Sequence, residues 1–118
     1  MNALMDLYNV VMSRKTDYEN SADLSLDEIK KKSYTCYLFS QGQDKILKKC
    51  GEECSEMIIA AKNDDNVELK NEIADLFYHV MVLCGEKGLD FADVEEVLAE
   101  RSQKIGNLKN FKNTDKNS

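Results

Sequence analysis

The chain has 118 residues, no proline and a formal net charge of −6 at pH 7. This acidic balance argues against general nucleic-acid binding, which needs a basic face, and residues 1–11 lack the basic start and apolar core of a signal peptide. We therefore expect one cytoplasmic all-α domain over residues 1–106, followed by a polar, disordered tail at 107–118 that is rich in Asn and Lys.

Two helices are predicted in the first quarter of the chain. Apolar residues recur with a helical period from Leu4 to Val11, which predicts a helix ending near Lys15. The polar residues 16–23 predict a mobile loop. The sequence Ser-Leu-Asp-Glu at the start of residues 25–32 is a capping-box pattern, so a second, short helix is predicted there.

Two further helix starts follow. Ser33 is predicted to cap a third helix, which ends at Gly42, and Asp44 is predicted to cap the fourth. The fourth helix carries Gly51 in its interior, which costs about 1 kcal/mol relative to alanine. Such a glycine usually permits a close approach, here by a neighbouring helix or by a substrate.

The stretch 48–84 is predicted to form an antiparallel helical hairpin. Both halves have a helical apolar period, and the turn cluster 63–66 separates them, with Asp65 or Asn66 as the N-cap of the second helix. Two acid pairs spaced i, i+3 lie at matching distances on either side of this turn. The pairs are Glu53 with Glu56, and Glu72 with Asp75.

These four carboxylates predict a metal site. Four negative groups in one groove repel strongly unless a cation lies between them. From Ile73 to Cys84 the second helix is apolar on nearly all sides, yet too short to span a bilayer, so Asp75 is expected to be buried and to need a cation. Hard oxygen ligands suit Mg²⁺ or Mn²⁺. The alternative is a solvated acidic face on the first helix and a lysine-paired Asp75.

Three lysines precede the acids by one or two helical turns. They form either ion pairs, Lys48 with Glu52 and Lys49 with Glu53, or a cationic group with Lys45 that holds phosphate oxygens at the mouth of the metal site. Both interpretations stay open.

His79 lies one turn after Asp75 on the second helix of the hairpin. A hydrogen-bonded core residue and a catalytic group are both compatible with this position. Further on, Asp90 is predicted to cap a last helix, whose inward-facing residues are Phe91, Val94, Val97 and Leu98.

Several motifs together resemble one enzyme family. They are Ser33-Tyr34-Thr35, Lys49-x-Gly51-Glu52-Glu53-x-x-Glu56 and Glu72-x-x-Asp75-Leu76-x-Tyr78-His79. This set resembles phosphoribosyl-ATP pyrophosphohydrolase, which performs the second step of histidine biosynthesis, while the acids alone mark the wider all-α nucleoside triphosphate pyrophosphohydrolases. The resemblance covers residues 33–105 and the first helix. The segment 15–32 is longer than the family leads us to expect and lacks the expected proline. We expect the stand-alone form of the enzyme, without an attached cyclohydrolase domain.

The resemblance implies a reaction and a site. Phosphoribosyl-ATP would be hydrolysed to phosphoribosyl-AMP and pyrophosphate by water activated by Mg²⁺, or Mn²⁺, with Glu52 or a carboxylate free of metal as the base. The helices would pair into a homodimer, and the protein would bind neither nucleic acid nor membrane. The implied metal ligands are Glu53, Glu56, Glu72 and Asp75. The implied substrate-binding residues are Ser33, Tyr34, Thr35, Lys45, Lys48, Lys49 and His79.

Three other functions compete with this one. A house-cleaning pyrophosphohydrolase of the MazG or dUTPase type would act on dUTP, dCTP or damaged nucleotides with the same acids. A carboxylate-bridged di-iron protein would need histidine three residues after Glu72, where this sequence has Asp75. A non-enzymatic helical dimerisation module would show neither hydrolysis nor any effect of divalent metal on stability.

Overall fold

The structure is a computed structural model and describes residues 2–106. All regular secondary structure in this range is α-helical, which confirms the all-α part of the predicted fold class. None of these helices combines the length and apolarity that crossing a bilayer requires. The tail predicted at residues 107–118 lies outside the described residues. The helices are α1 (Ala3–Glu19), α2 (Leu26–Lys32), α3 (Tyr34–Gln41), α4 (Gln43–Lys62), α5 (Asn66–Lys87) and α6 (Phe91–Gly106).

Side-chain caps begin four of the helices at predicted positions. Ser25 Oγ accepts the backbone N–H of Glu28 at 3.2 Å, and the Glu28 carboxylate accepts the backbone N–H of Ser25 at 3.4 Å, which completes the capping box of α2. Ser33 and Asp65 each accept the N–H three residues further on, at 3.2 and 3.0 Å. Asp90 accepts the N–H two residues on, at 2.9 Å. These bonds satisfy donors that no helical carbonyl reaches.

The helix α1 is one turn longer than predicted. It continues to Glu19, so the loop predicted for residues 16–23 is wrong in its first half. No glycine or proline interrupts this turn, Thr16 Oγ1 donates to the Met12 carbonyl at 3.2 Å, and Tyr18 packs against the hydrophobic core. Core packing therefore keeps this polar segment helical, although its composition alone does not favour a helix.

The helix α4 begins earlier than predicted. Gly42 has a φ of 87°, a region that favours glycine, and this residue ends α3 and directly precedes α4. Asp44 therefore lies in the first turn of α4, and its predicted role as the N-cap is wrong. Its carboxylate still lies near the positive end of the helix dipole.

One buried cluster packs α1, α3, α4, α5 and α6 together. Each fully buried apolar side chain in it contributes roughly 1.5–3 kcal/mol. The helices approach closely at Gly85 of α5, where a Cβ atom would lie 3.0 Å from Cζ of Phe39. Lys15 Nζ donates to the Gly85 carbonyl at 2.8 Å, which fixes α1 at the same point. The cluster consists of Val11, Leu38, Phe39, Ile46, Met81, Val82, Cys84 and Phe91.

Two apolar helix faces that were predicted to be buried are exposed in this chain. On α5, Asp75 is exposed and Phe77 is 44% exposed, so the prediction of a helix buried on nearly all sides is wrong. On α6, Phe91 is buried, but Val97 and Leu98 are 45% and 52% exposed. A sequence period shows that a face is apolar; it does not show whether the same chain covers it.

The contact between α4 and α5 positions the predicted site. It is the most extensive contact between two helices in residues 2–106, and the turn 63–65 links the two helices. Asp64 in this turn has a φ of 55°, a left-handed conformation that aspartate tolerates better than most residues.

Candidate functional site

Three of the four predicted metal ligands meet between α4 and α5. Glu53 and Glu56 lie one turn apart on α4, and Glu72 lies on α5. One carboxylate oxygen from each of the three lies within 4.8 Å of the other two. The i, i+3 spacing places the two α4 side chains on one face, and the short turn brings α5 alongside them. The three side chains form what we call the acid cluster.

Two oxygens of the acid cluster are buried without a hydrogen-bond partner. They are Oε2 of Glu53 and Oε2 of Glu72, on residues that are 7% and 9% exposed. A buried polar atom with no partner is unfavourable, and a buried charge is more so. A divalent cation would remove this penalty, and carboxylate oxygens are the donors that Mg²⁺ and Mn²⁺ prefer. The donor set therefore fits such an ion.

The carboxyl group of Glu72 is strongly perturbed by its neighbours. Its pKa is raised from 4.5 to about 8, first by the neighbouring carboxyl group of Glu68 and by burial, and then by the carboxyl groups of Glu56 and Glu53. Carboxyl groups this close share protons unless a cation separates them. Glu68 was missed by the sequence analysis. Its i, i+4 spacing from Glu72 is the signal that could have found it.

The remaining predicted ligand, Asp75, lies apart from the acid cluster. Its side chain is exposed, and its carboxylate is not one of the three that meet within 4.8 Å. The equal distances of the two acid pairs from the turn therefore did not bring all four carboxylates together.

Lys49 is the predicted lysine that contacts the acids. Its Nζ lies 3.9 Å from a carboxylate oxygen of Glu52 and 3.9 Å from one of Glu53. The predicted pair of Lys49 with Glu53 is present, while Lys49 rather than Lys48 meets Glu52. Lys48 is exposed and Lys45 is half-buried. Within residues 2–106, neither of these two lysines forms an ion pair.

A second group of predicted residues meets between α3 and α5. The Tyr34 hydroxyl oxygen lies 3.2 Å from His79 Nε2, and His79 Nδ1 lies 2.8 Å from the backbone oxygen of Asp75. Because a carbonyl only accepts, Nδ1 of the neutral ring carries the proton, and Nε2 accepts from the Tyr34 hydroxyl. Both nitrogens of this buried ring thus have partners. The geometry favours the core role of His79 over a catalytic one.

Thr35 makes the adjacent contact to α5. Its hydroxyl forms a hydrogen bond with the hydroxyl of Tyr78, a residue that the predicted substrate-binding set did not include. The hydroxyl of Ser33 caps α3. Thr35 and Ser33 therefore hold the start of α3 in place, and their contact with substrate, which the resemblance implied, stays a prediction.

Tyr34 connects this group to the acid cluster. Its side chain is 47% exposed, and its ring lies 6.3 Å from that of Tyr78, centre to centre. Burial, followed by the negative charge of Glu53, raises the pKa of the Tyr34 hydroxyl. The exposed ring of Tyr34 thus lies beside two rings of α5, those of Tyr78 and His79.

A cavity of about 210 Å³ opens beside the acid cluster. A larger cavity of about 420 Å³ lies where α1 ends, between α2 and α3, and none of the predicted site residues lines it. The chemistry of the side chains, and not the size of the cavity, marks the candidate site. The smaller cavity is lined by Glu56, Ile59, Ala60, Asn63, Asp65, Glu68 and Glu72.

Comparison with known proteins adds independent information. The family model described as phosphoribosyl-ATP pyrophosphohydrolase matches residues 16–102, which contain every predicted site residue. A phosphoribosyl-ATP pyrophosphatase of Clostridium botulinum is 47% identical over 113 residues, 96% of this chain and 93% of that protein. One of Limosilactobacillus fermentum is 45% identical over 109 residues, 92% of each chain. One of Bacillus cereus is 55% identical over 76 residues, 64% of this chain and 71% of that protein.

Proposed function

The chain belongs to the phosphoribosyl-ATP pyrophosphohydrolase family, and we propose that it hydrolyses phosphoribosyl-ATP to phosphoribosyl-AMP and pyrophosphate at its acid cluster. This is the second step of histidine biosynthesis. Water is added across the α–β phosphoanhydride: its oxygen bonds to one phosphorus, the bridging oxygen leaves with the other, and a proton passes to a base. Within this family, the observation that carries the proposal is the pair of buried, unpartnered oxygens of Glu53 and Glu72.

The proposed cofactor is Mg²⁺, with Mn²⁺ as the alternative, held by Glu53, Glu56 and Glu72. When bound, the ion would neutralise phosphate oxygens and make a nearby water molecule more acidic. Asp75 stays a predicted ligand, with its exposed carboxylate one helical turn further along α5.

The remaining groups act on the phosphate charge and on the proton. Lys49 supplies a positive charge 3.9 Å from Glu53 and would stabilise negative charge on the leaving pyrophosphate. Glu52 is exposed, lies outside the acid cluster and pairs with the same lysine, so it is the proposed proton acceptor.

A homodimer and a cytoplasmic location belong to the same proposal. The exposed apolar residues Ile58, Ile59 and Phe77 lie on α4 and α5, and a cavity of about 310 Å³ with apolar lining lies between α1, α5 and α6. We expect an antiparallel hairpin of α4 and α5 to pack on that of a second copy, because exposed apolar patches of this kind mark interaction sites. The four cysteines are free thiols, which is typical of a reducing compartment.

Pyrophosphate release tests the proposed reaction. Purified protein is incubated with Mg²⁺ and phosphoribosyl-ATP, and in parallel with dUTP and dCTP. We expect release from phosphoribosyl-ATP that a chelator abolishes. The Glu72→Gln variant should lose nearly all of this activity because it removes an anionic ligand without changing the side-chain volume. The matched control is Glu96→Gln, the same change at an exposed position on α6.

Each contrary result has a distinct meaning. Release from dUTP or dCTP alone would keep the metal site and indicate a house-cleaning enzyme. No release from any compound, together with no effect of Mg²⁺ on thermal stability, would indicate a helical dimerisation module. Equal activity of the Glu72→Gln variant and the wild-type protein would place the reaction outside the acid cluster.

A further inference from the structure

A segment of three lysines ends α2 directly before Ser33 and Tyr34. Its residues, Lys30, Lys31 and Lys32, are exposed, and we call them the basic segment. In the part of the chain that the structure describes, no acidic side chain forms an ion pair with any of them, although the whole chain carries a net charge of −6. The basic segment is therefore a local excess of positive charge on an acidic protein.

The basic segment is connected to the site through aromatic rings. Lys30 Nζ lies 4.8 Å from the centre of the Tyr37 ring. The ring of Tyr37 lies 6.3 Å from that of Tyr34, centre to centre. The Tyr34 hydroxyl in turn lies 3.2 Å from His79 Nε2 on α5, the helix that carries Glu72 of the acid cluster. Cations, aromatic rings and the helix of an acid-cluster carboxylate thus follow one another from α2 across α3 to α5.

The substrate of the proposed function has its chemical groups in a matching order. Phosphoribosyl-ATP carries a triphosphate at one end, adenine in the middle, and a ribose with a terminal 5′-phosphate at the other end. The triphosphate is the part that divalent cations and carboxylates bind. A purine packs on exposed aromatic rings. A phosphomonoester carries a charge of about −1.5 to −2 at neutral pH and is bound by lysine and arginine side chains.

We propose that Lys30, Lys31 and Lys32 bind the 5′-phosphate of the phosphoribosyl group, with Tyr34 and Tyr37 under the adenine between this phosphate and the acid cluster. This inference rests on the proposed function and names the part of the substrate that α2 recognises. The 5′-phosphate is absent from ATP, so binding energy obtained from it favours phosphoribosyl-ATP over the far more abundant nucleotide.

The competing explanation is that the three lysines stabilise α2 itself. Lysines at the end of a helix interact favourably with its dipole, typically by about 0.3–1 kcal/mol. This role predicts that replacing the lysines lowers thermal stability and affects both substrates alike. A role in phosphate binding predicts unchanged thermal stability and an effect only on the substrate that carries the 5′-phosphate, so the two roles are separable.

The test compares two substrates in a triple variant, Lys30→Gln/Lys31→Gln/Lys32→Gln. The substrates are phosphoribosyl-ATP and N1-ribosyl-ATP, which differ only in the 5′-phosphate. A charge-assisted hydrogen bond corresponds to roughly a tenfold change in affinity. We expect the KM for phosphoribosyl-ATP to rise about tenfold or more, with kcat within about threefold. The KM for N1-ribosyl-ATP should stay unchanged. Replacing all three lysines by arginine should preserve both values.

A matched control separates the effect of where the lysines lie from the effect of total charge. Lys62→Gln/Lys70→Gln/Lys104→Gln removes three exposed lysines from α4, α5 and α6 and changes the net charge equally. It should leave the KM for phosphoribosyl-ATP within about twofold of wild type. An equal rise in KM for both substrates in the basic-segment variant, or no rise at all, would overturn the proposal.

Calorimetric binding of the product, phosphoribosyl-AMP, needs no turnover. If the wild-type protein binds it through the basic segment but releases no pyrophosphate from phosphoribosyl-ATP, the proposed function fails and the phosphate subsite stands. If pyrophosphate is released and product affinity is the same in the wild type and the glutamine variant, the subsite fails and the proposed function stands.

Discussion

Removing the hydroxyl group of Tyr34 tests the contact that joins α3 to α5. In a Tyr34→Phe variant the ring remains, but His79 Nε2 loses the hydroxyl that donates to it at 3.2 Å. Leaving a buried acceptor unpaired costs roughly 1–3 kcal/mol. Because His79 is 5% exposed but Tyr34 is 47% exposed, water can replace part of the lost bond from the tyrosine side. We therefore expect a loss near the lower limit, about 1 kcal/mol of unfolding free energy.

Urea denaturation at one fixed protein concentration measures this loss as a lower transition midpoint with an unchanged slope. The matched control is Tyr37→Phe on the same helix, whose hydroxyl has no hydrogen-bond partner among residues 2–106. Its stability should stay within about 0.5 kcal/mol of wild type. Equal losses in the two variants, or none in Tyr34→Phe, would refute the assignment of a stabilising hydrogen bond to His79.

Three further predictions follow from packing, charge and exposure. Gly85→Ala should lower stability by about 1–2 kcal/mol because its Cβ would meet Cζ of Phe39 at 3.0 Å. Gly51→Ala, with nothing within 4 Å, should raise stability by about 1 kcal/mol through helix propensity. Thermal denaturation compares the two, and the reverse order would contradict the packing. In chelator-treated protein, the raised pKa of Glu72 means that the folded state binds more protons than the unfolded state between pH 4.5 and about 8. Stability should therefore fall as pH rises through this window, and urea midpoints for Glu72→Gln should show a flatter dependence; an equally steep one would contradict the assignment. Phe77→Ser should shift the proposed dimer towards monomer in sedimentation experiments without unfolding it, because this side chain is already 44% exposed in one chain. An unchanged dimer would exclude this face from the interface.

The features that the sequence predicted correctly depend on a few neighbouring residues. The caps at Ser25, Ser33 and Asp65 each involve a hydroxyl or carboxylate and an N–H three residues away, so the spacing contains the whole interaction. The proximity of Glu53 and Glu72 could also be predicted, because a short turn between two periodic segments restricts how the two helices can lie.

The features that could not be predicted from the sequence depend on which face each helix turns towards its neighbours. Asp75 was expected to be buried, and Leu98 to point inward, but the apolar period of each helix does not show where other helices pack. The bond between Tyr34 and His79 joins residues 45 positions apart, and no local rule connects them. Thr16 stayed in α1 because tertiary packing outweighed the polar character of its segment.

Ser33 is the single residue between α2 and α3, and it serves both helices. Its N–H donates to the Ile29 carbonyl at the end of α2, while its side chain caps α3. With no spacer at this corner, the end of α2 and the start of α3 are fixed by the same residue. The basic segment is therefore held directly beside Tyr34, whose hydroxyl contacts His79 on the helix that carries Glu72.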